Sequence, residues 1–213
     1  PFTLDRVTGI DLITRIASED SGKVGELLKL NIPAYHKLDG YLEINGNGDH
    51  LTGNNGWLKA SSSDLDLVME DISIKAVRGE QFTLQDFTAT VSGDLSDTSA
   101  LSQYTERPAI SLGPLSVSAE LHQRAKGISA EQLKIVVSGE GLQVTSTGRI
   151  GDLAAMDAIA LTQRFSGLST QSVLATLIDD FAYPHDLGNL VGSFELGGNP
   201  KNLEIKDLRL TNK

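Results

Sequence analysis

Cysteine is absent from this 213-residue chain. That removes disulfides, thiolate metal centres and cysteine nucleophiles together, and leaves the redox compartment open. Aromatic residues are scarce at 5%, too few to build the stacked rings a carbohydrate-active β-helix enzyme requires. Basic residues number 18 against 28 acidic ones, for a formal charge of −10, and they form no block. Binding to a nucleic-acid backbone needs several convergent cations, so that partner class is set aside. The same charge disfavours adsorption to an anionic membrane surface. No apolar run approaches the ~20 residues of a helical membrane span. The chain opens on Pro1-Phe2 without a leader and reads as a segment excised from something longer.

Against these absences stands a long-range repeat. Pro33, Pro108 and Pro184 lie 75 and 76 residues apart. Each follows a short amphipathic stretch, and each precedes Leu-Asp-Gly (38–40) or Leu-Gly (112–113, 187–188) at the head of an alternating run. A period this long marks a tandem array of one supersecondary unit. Such arrays build extended surfaces, whereas a catalytic constellation is more often built once. The units are expected over 1–80, 81–153 and 154–213, the last truncated, as one continuous structural domain. Period-two alternation predicts strands over 9–16, 41–45, 51–60, 64–77, 81–93, 114–121, 128–138, 142–150, 154–167, 189–196 and 202–211. Short helices, or a helical turn in the middle unit, are expected over 22–30, 95–103 and 169–177, where a polar cap precedes one apolar stripe. The predicted fold is therefore mainly β with short helices, in repeated strand-helix-three-strand units that form a long curved antiparallel sheet.

Three strands share a finer signature. In Leu67-Val-Met-Glu-Asp-Ile-Ser-Ile74, Phe82-Thr-Leu-Gln-Asp-Phe-Thr-Ala89 and Leu203-Glu-Ile-Lys-Asp-Leu-Arg-Leu210 the apolar spacing jumps from two to three at an Asp. A regular strand would throw the later residues to the opposite face. A β-bulge at Glu70-Asp71, Gln85-Asp86 and Lys206-Asp207 restores the face and bends the strand; the alternative is a turn at each Asp. One face then carries Leu42, Ile44, Leu65, Leu67, Phe82, Leu84, Leu115, Val117, Leu133, Ile135, Phe194, Leu196, Leu203 and Ile205. The other carries Glu43, Asp64, Asp66, Thr83, Gln85, Ser116, Ser118, Lys134, Glu195, Glu204 and Lys206. Some eleven strands at ~4.8 Å spacing would span about 50 Å, and an open twisted sheet of that size must curl, split or line something. Periodicity leaves two readings of the apolar face: a core closed over by helices, or an open gutter whose floor holds hydrocarbon chains.

Candidates for chemistry are few. His36, His50, His122 and His185 never take a metal-ligand spacing, and Asp64-Leu-Asp66 lies in an alternating run where both carboxylates face solvent. Gly46-Asn-Gly-Asp49 reads as a hairpin turn in which Asn-Gly supplies positive φ. Trp57, the sole tryptophan, is expected to pack at the sheet edge. No nucleophile-elbow, zinc-protease, P-loop or dinucleotide pattern is present. No catalytic, metal or cofactor site is expected, and the chain does not read as an enzyme.

Ser21–Leu30 running into Ile32-Pro33, then Leu38-Asp-Gly-Tyr-Leu-Glu-Ile-Asn-Gly46, resembles the repeat of AsmA-like proteins. There a helix ending in Leu-Pro or a near variant precedes Gly-x-Leu-x-Leu-x-Gly. Leu187-Gly-Asn-Leu-Val-Gly-Ser-Phe-Glu-Leu-Gly197 followed by Leu203–Leu210 is similar, while Thr105-Glu-Arg107 before Pro108 departs from the apolar-Pro form. The resemblance spans nearly the whole chain on degenerate motifs. It implies a taco-shaped β groove in a periplasmic protein anchored in the inner membrane of Gram-negative bacteria, of the TamB and YhdP type. That groove would pass phospholipids between inner and outer membranes, or support outer-membrane assembly. Phospholipid acyl chains, neighbouring repeats of a parent protein and outer-membrane proteins are the implied partners. The fourteen apolar-face residues named above become the lipid-groove candidates, and no catalytic residue carries over. The competing expectation is a non-catalytic β-rich spacer, or a module that docks through its edge strands.

Overall fold

Alternation in the sequence becomes pleat in the structure. The computed structural model describes residues 9–20, 37–79, 82–103, 111–125, 127–139, 141–171 and 187–212. They form β1 (Ile10–Ser18), β2 (Lys37–Gly46), β3 (His50–Ser61), β4 (Leu65–Arg78), β5 (Phe82–Leu95), β6 (Leu115–Arg124), β7 (Gly127–Ser138), β8 (Gln143–Asp152), β9 (Asp157–Ser169), β10 (Asn189–Asn199) and β11 (Asn202–Asn212). All eleven belong to one open sheet, antiparallel at every step and ordered as in the chain. A meander needs no crossover, so each strand pairs with the next as it is laid down.

The connections divide the sheet into two rims. Short turns at Gly46–His50, Arg78–Phe82, Arg124–Gly127, Asp152–Asp157 and Asn199–Asn202 make one of them. Three of these turns are closed by a side chain. Asn47 Oδ1 accepts the N–H groups of Asp49 and His50, Asp152 Oδ1 those of Ala154 and Ala155, and Asn199 Oδ1 those of Lys201 and Asn202, all at 2.9–3.1 Å. An Asn or Asp oxygen here replaces a backbone turn bond. In the first turn the positive φ belongs to Gly46 (151°), not to Asn47-Gly48. The opposite rim carries the three long connections, after β1, β5 and β9. Four strands separate one from the next, an even number, so all three emerge on the same side.

The connection after β5 holds the helical turn expected over 95–103, but in a shorter form. The strand runs through Leu95, and a 3-10 turn covers Thr98–Gln103. Asp97 breaks the pattern by claiming the backbone. Its carboxylate accepts from the Ser99 N–H at 2.7 Å, the Ser111 hydroxyl at 2.7 Å and the Gly113 N–H at 3.1 Å, while Thr98 Oγ1 accepts the Leu112 N–H at 2.7 Å. The clasp brings the chain back to the sheet at β6. The expected helices over 22–30 and beyond Gln171 lie outside the described residues, as do Phe2–Leu4, Pro33, Pro108, Pro184, His36 and His185.

Bulges occur where the Asp signature places them, and elsewhere too. β4 inserts an extra residue at Asp71, β5 at Gln85 and β11 at Asp207, with Asp71 and Asp207 in the left-handed region at φ 52° and 49°. Asn55 in β3 (φ 53°), Gln132 in β7 (φ 49°) and Gly167 in β9 (φ 86°) are further bulge residues. At Gly167 a Cβ would run into the Gly141 carbonyl oxygen, so glycine is required there.

Candidate functional site: the apolar face

Ladder partners share a face, so the register assigns every strand residue to one side. Following Leu38↔Ala60↔Leu67↔Gly93↔Val117↔Ile135↔Ser146↔Gln163↔Phe194 across nine strands stays on one side. Along that side the rows are Leu, Ile, Val, Met, Phe, Ala and Gly almost throughout. Charged residues enter its rows at the hairpin rim alone, as Arg78, Asp152 and Asp157. Two polar side chains inside the face answer each other, the Gln163 amide donating to Ser146 Oγ at 2.6 Å. A buried amide costs little only when it is paired in this way.

All fourteen sequence-predicted groove residues fall in rows of this face. Phe82 takes its position by register opposite Arg78, and its side chain lies outside the described part. The opposite-face assignments also follow the register, except that Gln85 is a bulge residue without a ladder partner and Asp64 sits in the turn before β4. There its carboxylate accepts from Ser63 and Ser96.

Burial of the face is lateral rather than overhead. The closed cluster is Ala119, Ala130, Leu133, Ile150 and Ile159 on β6–β9, joined by Leu153 from the β8–β9 turn. Elsewhere on the face Leu38 and Leu95 are buried and Leu84 is exposed, while the other large side chains between Leu42 and Leu196 are half-buried among their neighbours. Among the described residues no second layer of helix or sheet packs on this face. At the two outermost strands the side chains are open to solvent, Leu12 on β1 being 55% exposed and Ile205 on β11 62%. Glycines let neighbours lean inward: a Cβ on Gly40 would meet Ile16 and Leu58, and one on Gly192 would meet Phe165 and Leu210. Around Gly40 the floor dips into a concavity of about 180 Å³ lined by Thr14, Ile16, Leu42, Leu58 and Ile72.

The opposite face is polar and carries scattered ion pairs: Lys75–Asp86 at 3.3 Å, Arg124–Glu131 at 3.5 Å and Lys206–Glu204 at 2.8 Å. On β2 and β3 the Tyr41 hydroxyl donates to Glu43 Oε1 at 2.6 Å and Asn55 Nδ2 donates to Glu43 Oε2 at 2.9 Å. The Tyr41 bond chiefly, and the Asn55 bond next, hold the Glu43 carboxyl below its ordinary range, and the same Glu43 bond raises the Tyr41 phenol. Trp57 is not at an edge: it lies on β3, two strands in from β1, in register with Tyr41 on the polar side. His50 and His122 stand on different strands, and no group of three metal-ligating side chains occurs among the described residues. No described helix is long and apolar enough to cross a membrane.

No family model matches this chain, and no curated protein or solved structure matches it either.

Proposed function

We propose that the chain is a lipid-carrying segment of a periplasmic AsmA-like protein, its apolar face serving as the floor of a groove for phospholipid acyl chains between the inner and outer membranes. One observation carries this reading: an apolar face continuous across eleven strands, without a covering layer among the described residues. Contiguous exposed apolar surface of this extent marks an interaction site. The recurrent bulges supply the curvature, since each bends its strand and increases local twist, and an open sheet this wide curls.

The mechanism is passive. Burial contributes about 0.8 kcal/mol per methylene, so a whole acyl chain gains substantially on entering. Successive rows of the floor are chemically alike, which makes neighbouring positions close in energy and lets a chain slide while its headgroup stays in water. No side chain here is asked to do covalent chemistry. Leu84→Asp or Phe194→Glu places a charge where hydrocarbon would lie, and the expected result is loss of lipid uptake and transport with an unchanged β-sheet circular dichroism spectrum. Normal lipid flux in either folded variant would contradict the groove.

A second reading rests on the edge strands. β1 and β11 present Leu12, Ile13, Leu203, Ile205, Leu208 and Leu210 well exposed on strands that, among the described residues, pair on one side alone, which suits strand addition by neighbouring repeats or an outer-membrane protein. It differs from the groove in predicting no bound lipid.

A further inference from the structure

Among the described residues the polar face has one place where aromatic side chains gather. Phe87, Phe165 and Phe194 belong to rows of the apolar face, whereas Tyr41 and Trp57 meet in register on the polar one. Cations flank the pair: Arg15 lies 5.8 Å from the Tyr41 ring centroid and Lys59 5.6 Å from that of Trp57. Beside them opens a concavity of about 480 Å³ lined by Asn55, Gly56, Trp57, Lys59, Glu70 and Asp71, within the ~300–1,000 Å³ typical of small-molecule sites.

The bulges build this place. The ladder pairs Gly56 with Ile72 and Leu58 with Met69, so Trp57 alone faces both Glu70 and Asp71. A regular strand would offer one carboxylate; the bulge offers two. Asn55 and Asp71, the left-handed bulge residues of adjacent strands, both line the hollow. Non-glycine residues held at positive φ concentrate at functional sites. Asn55 is fixed through Glu43 to the Tyr41 hydroxyl, so one wall is pre-set. Glu70 and Asp71 make no side-chain hydrogen bond or ion pair among the described residues, which leaves their oxygens free to accept.

The chemistry selects a ligand class. Phosphate or a nucleic acid would be repelled by the two carboxylates, and a hydrocarbon chain would strip water from them without offering a donor. A pyranose offers both halves of what is needed. Its C–H face stacks on an indole, and its hydroxyls donate in pairs to carboxylates, with an amide and an ammonium left to bond ring and hydroxyl oxygens. We propose that Trp57, Asn55, Lys59, Glu70 and Asp71 form a binding site for a neutral oligosaccharide, on the face opposite the lipid floor. This site is separate from the groove, and either can fail without the other.

Trp57 is the chain's sole tryptophan, so its emission reports the site directly. Titration with cellotetraose, tetra-N-acetylchitotetraose and maltotetraose is expected to give a saturable intensity change or shift for at least one of them, half-complete below ~1 mM. Calorimetry on the same samples guards against a silent probe. Glu70→Gln with Asp71→Asn keeps size and, because Asn tolerates positive φ, keeps the bulge; binding should weaken about tenfold or more once charge-assisted bonds are lost. Lipid uptake by that variant should be unchanged. Absence of saturable emission change and of heat with all three sugars overturns the site. Equal sugar binding by the double variant overturns it as well, since the carboxylates would then play no part.

Discussion

β7 and β11 are built alike and end differently. Both carry a left-handed bulge residue, Gln132 and Asp207, each at φ 49°, and both keep their apolar residues on the same face of the sheet. Yet Ala130 and Leu133 on β7 are 2% and 6% exposed, whereas Leu203 and Leu208 on β11 are 54% and 58% exposed. Local pattern therefore decides which way a side chain points, and the neighbours on either side decide how much water it loses. Interior strands form a core by lateral contact. Outer strands keep their side chains open to solvent.

The largest expected contrast lies in truncating the matched leucines. Leu133→Ala should cost about 2–4 kcal/mol in urea unfolding, because it opens a cavity in the closed cluster. Leu208→Ala should cost less than about 1 kcal/mol, as little apolar surface is removed from water there. Equal costs would mean that β11 is covered in solution.

The bulges sharpen the contrast at intermediate size. A β-branched residue at positive φ costs about 1–2 kcal/mol, and at Gln132 a ladder on each side prevents relaxation. Gln132→Val should therefore destabilise by about that amount, Asp207→Val by less, and Gln132→Gly by little or nothing. A Gln132→Val protein as stable as its parent would argue against a left-handed bulge in β7.

The smallest effect concerns the connection before β6. Hydrogen bonds from Ser99, then Ser111 and Gly113, hold the Asp97 carboxyl down to about 2. A carboxyl lowered on folding stabilises above its unfolded pKa of about 3.9 and loses that contribution as pH falls through the folded value. Amide-exchange protection at Leu112 and Gly113 should accordingly hold above about pH 4 and fade towards about pH 2. Asp97→Asn should flatten that profile. A profile unchanged by the substitution would mean that another group controls the connection.

Much of this was legible in the sequence. All eleven strands, the three bulges at Asp71, Gln85 and Asp207 and the side of the sheet taken by every groove candidate follow from apolar spacing, since a skipped beat in a period-two run has a geometric cause. The bulge at Gln132 carries the same skipped beat, Ile128-x-Ala130 against Leu133-x-Ile135, and escaped because no Asp marks it; those at Asn55 and Gly167 escaped because Gly53, Gly56 and Gln163 interrupt the apolar runs around them. Of the helix or helical turn read over 95–103, the turn is present but starts late, at Thr98, because β5 runs through Leu95 and Asp97 caps backbone. The polar hollow was invisible for a different reason. Tyr41, Trp57 and Asp71 are brought together by the β2–β3–β4 ladder and its bulges, and nothing in their spacing announces that.

The central claim is that the apolar face is open and holds lipid. Native mass spectrometry of the purified chain, with lipid extraction of the same sample, tests it most directly. The groove predicts phospholipid bound at about stoichiometric level and lost in Phe194→Glu. Protein free of lipid, and still free after incubation with phospholipid vesicles, would contradict it.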